Sequence, residues 1–204
     1  VYQTVVPLGI EGAEENTRHS YERALLRYPL SPEVPLLLAQ LNLALGRNSD
    51  AKDEIRRALE RKQNYTDAAF LLSQIQVQEG QITDAISSAE AAALFSPNNP
   101  ALYFQLGLLH YSVENNDQAI GVFEQAVSLN NDYANARYFL GLTYARVGRR
   151  EEAIEQFERV AALNPGNDEV LQILENLKFG EDPFADAQSG GRIQNLQGPP
   201  IKGE

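Results

Sequence analysis

Residues 134–167 read ANARYFLGLTYARVGRREEAIEQFERVAALNPGN. Apolar side chains recur along this stretch at three- and four-residue steps on both sides of Val147-Gly148-Arg149. That pattern is the signature of two amphipathic helices joined by a short turn. The register repeats every 34 residues toward the N-terminus, with Ala153 preceded by Ala119, Ala85 and Ala51, and Val160 by Ala126, Ala92 and Ala58. A leucine followed by a small residue stands at Leu38-Ala39, Leu72-Ser73, Leu106-Gly107 and Leu140-Gly141. Small residues are required where two helix backbones approach closely. Four residues after each column alanine come Ile55, Ala89, Phe123 and Phe157. Leu45-Gly46-Arg47, Glu79-Gly80-Gln81 and Val147-Gly148-Arg149 place a glycine where the first helix must stop in a left-handed conformation. In the third unit Glu114-Asn115-Asn116-Asp117 replaces the glycine, and an asparagine is expected to take that conformation. Pro29, Pro97 and Pro165 close three of the units, since proline ends a helix and biases the preceding residue away from it.

The composition agrees with a folded chain: 43% of the 204 residues are apolar and 22% charged, so wholesale disorder is excluded. No Cys is present, which removes disulfides, thiolate metal sites and a cysteine nucleophile. No apolar run reaches the roughly 18 residues that a membrane helix needs. Methionine is absent even at residue 1, which reads as a processed chain or a piece of a longer one. The net charge of −11 is unevenly placed: no Lys or Arg lies between Lys62 and Arg137, while eight carboxylates do. Nucleic-acid affinity depends on Lys and Arg displacing counterions, so nucleic acid and anionic membrane are poor partners for this surface.

Residues 134–167 resemble a tetratricopeptide repeat at nearly every signature column, and units 100–133, 66–99 and 32–65 resemble it with decreasing fidelity. Thr17, Tyr21, Ala24 and Pro29 match the second-helix columns of a further, partial unit at 14–31. The resemblance implies an all-α fold, a right-handed superhelical solenoid of antiparallel helix pairs, with four repeats over 32–167. Departures are Ala89 where a large residue is usual, Gln63 and Asn131 in place of the closing proline, and Val160 in place of a small residue. A capping helix is expected over 168–179, with Val170, Leu171, Leu174 and Leu177 on its covered face, because a stack of helix pairs leaves its last apolar face open. Residues 1–13 carry Pro7 and Gly9 against a continuous helix, yet Val5, Val6, Leu8 and Ile10 suit packing on the first helices. Residues 180–204 lack sustained periodicity and read as a flexible tail whose removal leaves the melting temperature nearly unchanged. That tail carries Arg192 and Lys202 around Ile193, Leu196 and Ile201, opposite in sign to the cation-free middle. The ending LKFGEDPF also resembles C-terminal repeat regions of bacterial multi-spanning envelope proteins. The sequence does not fix the compartment, which is cytoplasmic or, for a chain cut from such a protein, periplasmic or otherwise extracytoplasmic.

The family resemblance implies that first helices line a concave groove that binds peptides or partner proteins. Carried onto this sequence, the inward columns are Leu36, Gln40 and Leu43, then Asp67, Phe70, Gln74 and Val77, then Phe104, Leu108 and Tyr111, and last Asn135, Tyr138, Leu142 and Arg146. Phe104, Tyr111 and Tyr138 are weighed evenly between ligand contact and packing between repeats, since aromatics are enriched in both. One subgroup of the family clamps an acidic C-terminal peptide with Lys, Arg and Asn. The corresponding positions here hold Leu36, Gln40, Gln74, Ala101 and Gln105, so the clamp is missing and a neutral or basic, partly apolar segment fits better. His110 reads as a packed histidine and His19, beside Arg18 and Glu22, as a solvated one. Glu14-Glu15 and Glu151-Glu152 are accounted for by the positive end of a helix. Gly190-Gly191 follows no strand and precedes no Lys-Ser/Thr, so it is no phosphate loop. Neither a catalytic group nor a cofactor or metal site is expected. The expected function is a non-catalytic protein–protein interaction scaffold. The alternative is a structural spacer or self-association module of a larger assembly or of a membrane-anchored envelope protein.

Overall fold

The 34-residue register becomes ten α-helices among the described residues, 13–184 of this computed structural model, and no strand. In chain order they are α1 (Ala13–Arg27), α2 (Glu33–Ala44), α3 (Asn48–Arg61), α4 (Thr66–Gln78), α5 (Ile82–Phe95), α6 (Pro100–Ser112), α7 (Asn116–Leu129), α8 (Ala134–Arg146), α9 (Arg150–Leu163) and α10 (Asp168–Phe179). The fold class is an all-α repeat solenoid. The chain divides into two compact units, residues 1–97 with α1–α5 and residues 98–204 with α6–α10. Within each unit consecutive helices pack on one another, most extensively as the hairpins α2–α3, α4–α5, α6–α7 and α8–α9. The expected N-terminal segment, up to Gly12, falls outside the described residues, as does the tail beyond Phe184 with its Gly190-Gly191 pair, Arg192 and Lys202.

The turn between paired helices has one geometry throughout. Gly46, Gly80 and Gly148 lie at φ 71°, 74° and 78°, and the amide after each reaches back to close the helix: Arg47 to the Asn42 carbonyl at 2.8 Å, Gln81 to Gln76 at 2.8 Å, Arg149 to Tyr144 at 2.9 Å. In the third unit the expectation of an asparagine is corrected. Glu114 itself adopts φ 57°, and Asn115 donates to the His110 carbonyl at 2.9 Å. The six-residue closure dictates which position is left-handed, so the glycine column is obeyed even where the side chain is unfavourable.

Facing columns in the hairpins are matched in size. A Cβ built on Gly107 would lie 2.5 Å from Phe123 Cδ1, and one on Gly141 2.8 Å from Phe157 Cε2. Both phenylalanines are fully buried. The glycines let the largest rings sit against a bare helix backbone, and Ala89 occupies the register opposite Ser73, where less room is left. The second unit accordingly has an aromatic core of Phe104, Phe123, Tyr138, Phe139 and Phe157, with Phe123 and Phe139 stacked at 6.0 Å between centroids. The first unit is built on Leu36, Ala39, Ile55, Ala58, Ala68 and Ile75.

Helix α10 spans Asp168–Phe179, and its buried face differs from the expected one. Val170, Ile173 and Leu177 are at most 2% exposed, whereas Leu171 is 46% exposed. A stripe at i, i+3 and i+7 stays on one side of a helix, and Leu171 lies about 100° round from Val170.

Candidate functional site

The inward positions of the second unit recur at three- and four-residue steps on α6 and α8, so each set shares one helix face. Their burial separates them. Phe104, Tyr138 and Leu142 are 7%, 5% and 7% exposed. Leu108, Tyr111 and Asn135 are half-buried, and Arg146 is exposed. Phe104 gives its ring to Tyr133, Phe139 and Phe123, at centroid separations of 5.2, 5.9 and 6.1 Å. Tyr138 meets Phe139 and Phe157 edge-on at 5.6 and 5.5 Å, and its hydroxyl donates to Glu169 Oε1 at 3.1 Å. Burial first, and then the Glu169 carboxylate, push the Tyr138 hydroxyl far above its ordinary pKa. Phe104 and Tyr138 therefore belong to the core that shapes the face, and the half-buried residues form its accessible part.

Tyr111 and Arg146 form a second constellation at the end of these helices. The Arg146 guanidinium lies 3.8 Å from the Tyr111 ring centroid, and its Nη1 donates to the Tyr111 carbonyl at 3.2 Å. Burial raises the Tyr111 pKa, opposed by the neighbouring Arg146 charge. A stacked guanidinium keeps donors free toward solvent while the ring is partly covered. Asn135 is the polar member of the stripe. Its Oδ1 is enclosed and accepts no hydrogen bond, which is costly to leave unmet.

In the first unit, Leu36 is buried in the core, with Leu43 packed beside it. Phe70 is half-buried, while Gln40, Asp67, Gln74 and Val77 are exposed. That face is more polar than its counterpart on α6 and α8.

The structure adds polar residues of α10 that the sequence reading did not single out. Glu169, Gln172 and Asn176 form one stripe along α10, which begins at the Tyr138 hydroxyl. Gln172 Nε2 donates to Asn176 Oδ1 at 3.0 Å, and Asn176 Nδ2 donates to the Pro183 carbonyl at 3.2 Å. The chain turns at Gly180 (φ 81°) and folds back, with Phe184 packed against the aromatic core. Residues 181–184, read as the start of a flexible tail, are thus held against the body. A lone Phe after Asp-Pro gives no periodic signal, so only the fold could show this.

Three polar features are structural. Arg137 is 6% exposed and fills its donors with the Asn131 carbonyl at 2.7 Å, Asn131 Oδ1 at 2.5 Å and Gln156 Oε1 at 2.6 Å. His110 is 5% exposed, its Nδ1 lying 3.5 Å from Asn115 Nδ2. His19 is exposed, with its Nδ1 3.1 Å from Glu22 Oε2. Among the described residues no group of three or more His, Asp or Glu is disposed to hold a metal ion, and no helix is long and apolar enough to cross a membrane.

These helix hairpins, with their glycine turns and small–large facing columns, define a repeat protein of the helix-pair class. The family model of the tetratricopeptide repeat matches residues 36–101 and 104–168, and the chain belongs to that family. A search of the curated proteins gives no match. Solved structures share the fold at low identity. YrrB, described as a TPR protein with an unusual peptide-binding site, is 21% identical over 84% of this chain and 85% of its own, with a TM-score of 0.69. MamA from Desulfovibrio magneticus RS-1 is 21% identical over 77% and 89%, TM-score 0.65. The first TPR domain of Spaghetti (RPAP3), bound to the HSP90 peptide SRMEEVD, is 23% identical over 56% and 91%, TM-score 0.53.

Proposed function

We propose that this chain is a non-catalytic protein–protein interaction scaffold that binds a neutral or basic, partly apolar segment of another protein on its first-helix faces. The observation that carries the reading is the face of α6 and α8. Half-buried Leu108 and Tyr111 pack against the aromatic core, with the exposed Arg146 guanidinium stacked on the Tyr111 ring. Apolar area beside a fixed polar group is what a peptide backbone with apolar side chains requires. The unusual peptide-binding site of YrrB and the HSP90 peptide bound to the RPAP3 domain support the same use of the fold. Gln74, Ala101 and Gln105 stand where the acidic-peptide clamp would need Lys, Arg or Asn, which disfavours a chaperone C-terminus.

Phe104 and Tyr138 are core residues, and their truncation would cost about 3–5 kcal/mol of stability, so they are poor reporters of binding. The test is to select partner peptides from a randomised library on the full chain, then measure the Leu108→Ala/Asn135→Ala variant. Helicity should be unchanged and affinity lowered roughly tenfold or more, as for a truncated interface anchor. Undiminished affinity would move the site to the second-helix face or the loops.

A second reading, self-association, is favoured by Leu26 and Leu30, which are 84% and 82% exposed at the end of α1. Light scattering over a concentration series tests it, and a strict monomer would discard it.

A further inference from the structure

We propose that the first-helix face of the second unit selects an extended segment in which a cationic and an aromatic side chain stand four residues apart, with an apolar residue midway. The inference rests on the groove reading above and names what the bound segment must carry.

Spacing along α8 carries the argument. Tyr138, Leu142 and Arg146 follow one another at four-residue steps on one side of the helix, about 6 Å between successive members. Alternate residues of an extended chain share a face and stand ~6.6 Å apart, so three of them match these three levels. At the first level Tyr138 is buried, and its hydroxyl holds the Glu169 carboxylate at 3.1 Å. Glu169 is exposed, and its Oε2 bonds no group among the described residues. At the second level stand Leu142 and, one 34-residue period earlier, the half-buried Leu108. At the third the Arg146 guanidinium lies 3.8 Å from the Tyr111 ring centroid, and its other face is open to solvent.

The charges round each level decide what it accepts. Asp168 adjoins Glu169 on α10. Arg137, Arg159 and Lys178 are already engaged, the first with Asn131 and Gln156, the second 3.7 Å from Asp132 and the third 2.8 Å from Glu158. A cation at this level therefore meets carboxylates that these bases leave unpaired. The Arg146 end is different. Its Nη1 donates to the Tyr111 carbonyl at 3.2 Å and lies 3.5 Å from Asn116 Oδ1, beside a turn that also carries Glu114 and Asp117. Those carboxylates disfavour an anionic ligand group, whereas an aromatic ring can stack on the open guanidinium face. The segment so defined is basic, opposite in sign to a chain of net charge −11.

The blocked peptides Lys-Ala-Leu-Ala-Trp and Trp-Ala-Leu-Ala-Lys cover both chain directions. Nuclear magnetic resonance follows their titration into the full chain through the amide signals of Leu108, Tyr111, Leu142 and Arg146. In the tighter peptide, glutamate for lysine should weaken binding about fivefold at low salt, and alanine for tryptophan roughly tenfold. Deleting one alanine should also weaken it, since the two end side chains then point to opposite faces. Glu169→Lys, at an exposed position, should reverse the preference for lysine over glutamate at unchanged helicity, which a loss of structure would not do. Equal affinity for the lysine and glutamate peptides, an unreversed preference, or tighter binding with glutamate in place of tryptophan would overturn the proposal. If library-selected peptides shift these four signals without sharing the spacing, the specificity is refuted and the groove stands. If neither they nor this panel move them, both fall.

Discussion

Replacing Gly107 by alanine tests the small–large pairing directly, because the same substitution one helix away should have the opposite sign. A Cβ at Gly107 would run into Phe123 Cε1 and meet Cδ1 and Cζ of the same ring at 2.5 and 2.9 Å, against a favourable carbon–carbon separation of about 3.5–4.0 Å. The ring would have to retreat by about 1 Å to regain that separation, yet Phe123 is fully buried between Phe104 and Phe139. Overpacking of this kind costs about 1–3 kcal/mol, and removing a helical glycine returns about 0.5–1 kcal/mol. The expected net loss is therefore about 1–2 kcal/mol. At Gly121 on α7 a Cβ meets nothing within 4 Å, so Gly121→Ala should stabilise by about 0.5–1 kcal/mol. Urea unfolding followed by circular dichroism reads both as shifts of the midpoint at constant slope. In a Phe123→Leu background the Gly107→Ala penalty should shrink or vanish, a coupling of about 0.5–3 kcal/mol between touching residues. A raised midpoint for Gly107→Ala alone, or a penalty undiminished in that background, would refute the pairing.

Glu114 holds a left-handed φ of 57° that its Cβ disfavours, so Glu114→Gly should stabilise by up to about 1 kcal/mol, read from the same urea midpoint. Arg137→Lys should destabilise by about 1.5–3 kcal/mol, because an ammonium cannot reproduce the planar fork shared by Asn131 and Gln156; differential scanning calorimetry would show it. Tyr111, Tyr138 and Tyr144 hold their protons more tightly when folded, the first two chiefly through burial and Tyr144 through burial and its bond to Glu124. The folded state then binds more protons in the alkaline range, so this contribution is whole below about pH 10 and is lost as pH rises beyond it. Tyrosinate absorbance should show these three ionising together with helix loss in an alkaline titration, and ionisation before unfolding would contradict the assignment.

Much of this protein follows from local pattern. The 34-residue recurrence of alanines, the Leu-small pairs and the glycines at 46, 80 and 148 specify helix hairpins and their turns, because helical periodicity and left-handed caps are properties of a few consecutive residues. The column at 114 shows how strong that specification is, since Glu114 accepts the left-handed conformation that the turn demands. Burial within the groove face was not written locally. Phe104, Leu108 and Tyr111 share one side of α6, and only the rings of Phe123, Tyr133 and Phe139 decide that Phe104 goes inside. Tyr138 finds its hydroxyl partner 31 residues away at Glu169. Phe184 finds the aromatic core only once the hairpins that build it have stacked. Each of these depends on which surfaces meet once the hairpins stack, and contacts between residues far apart in sequence leave no period to read.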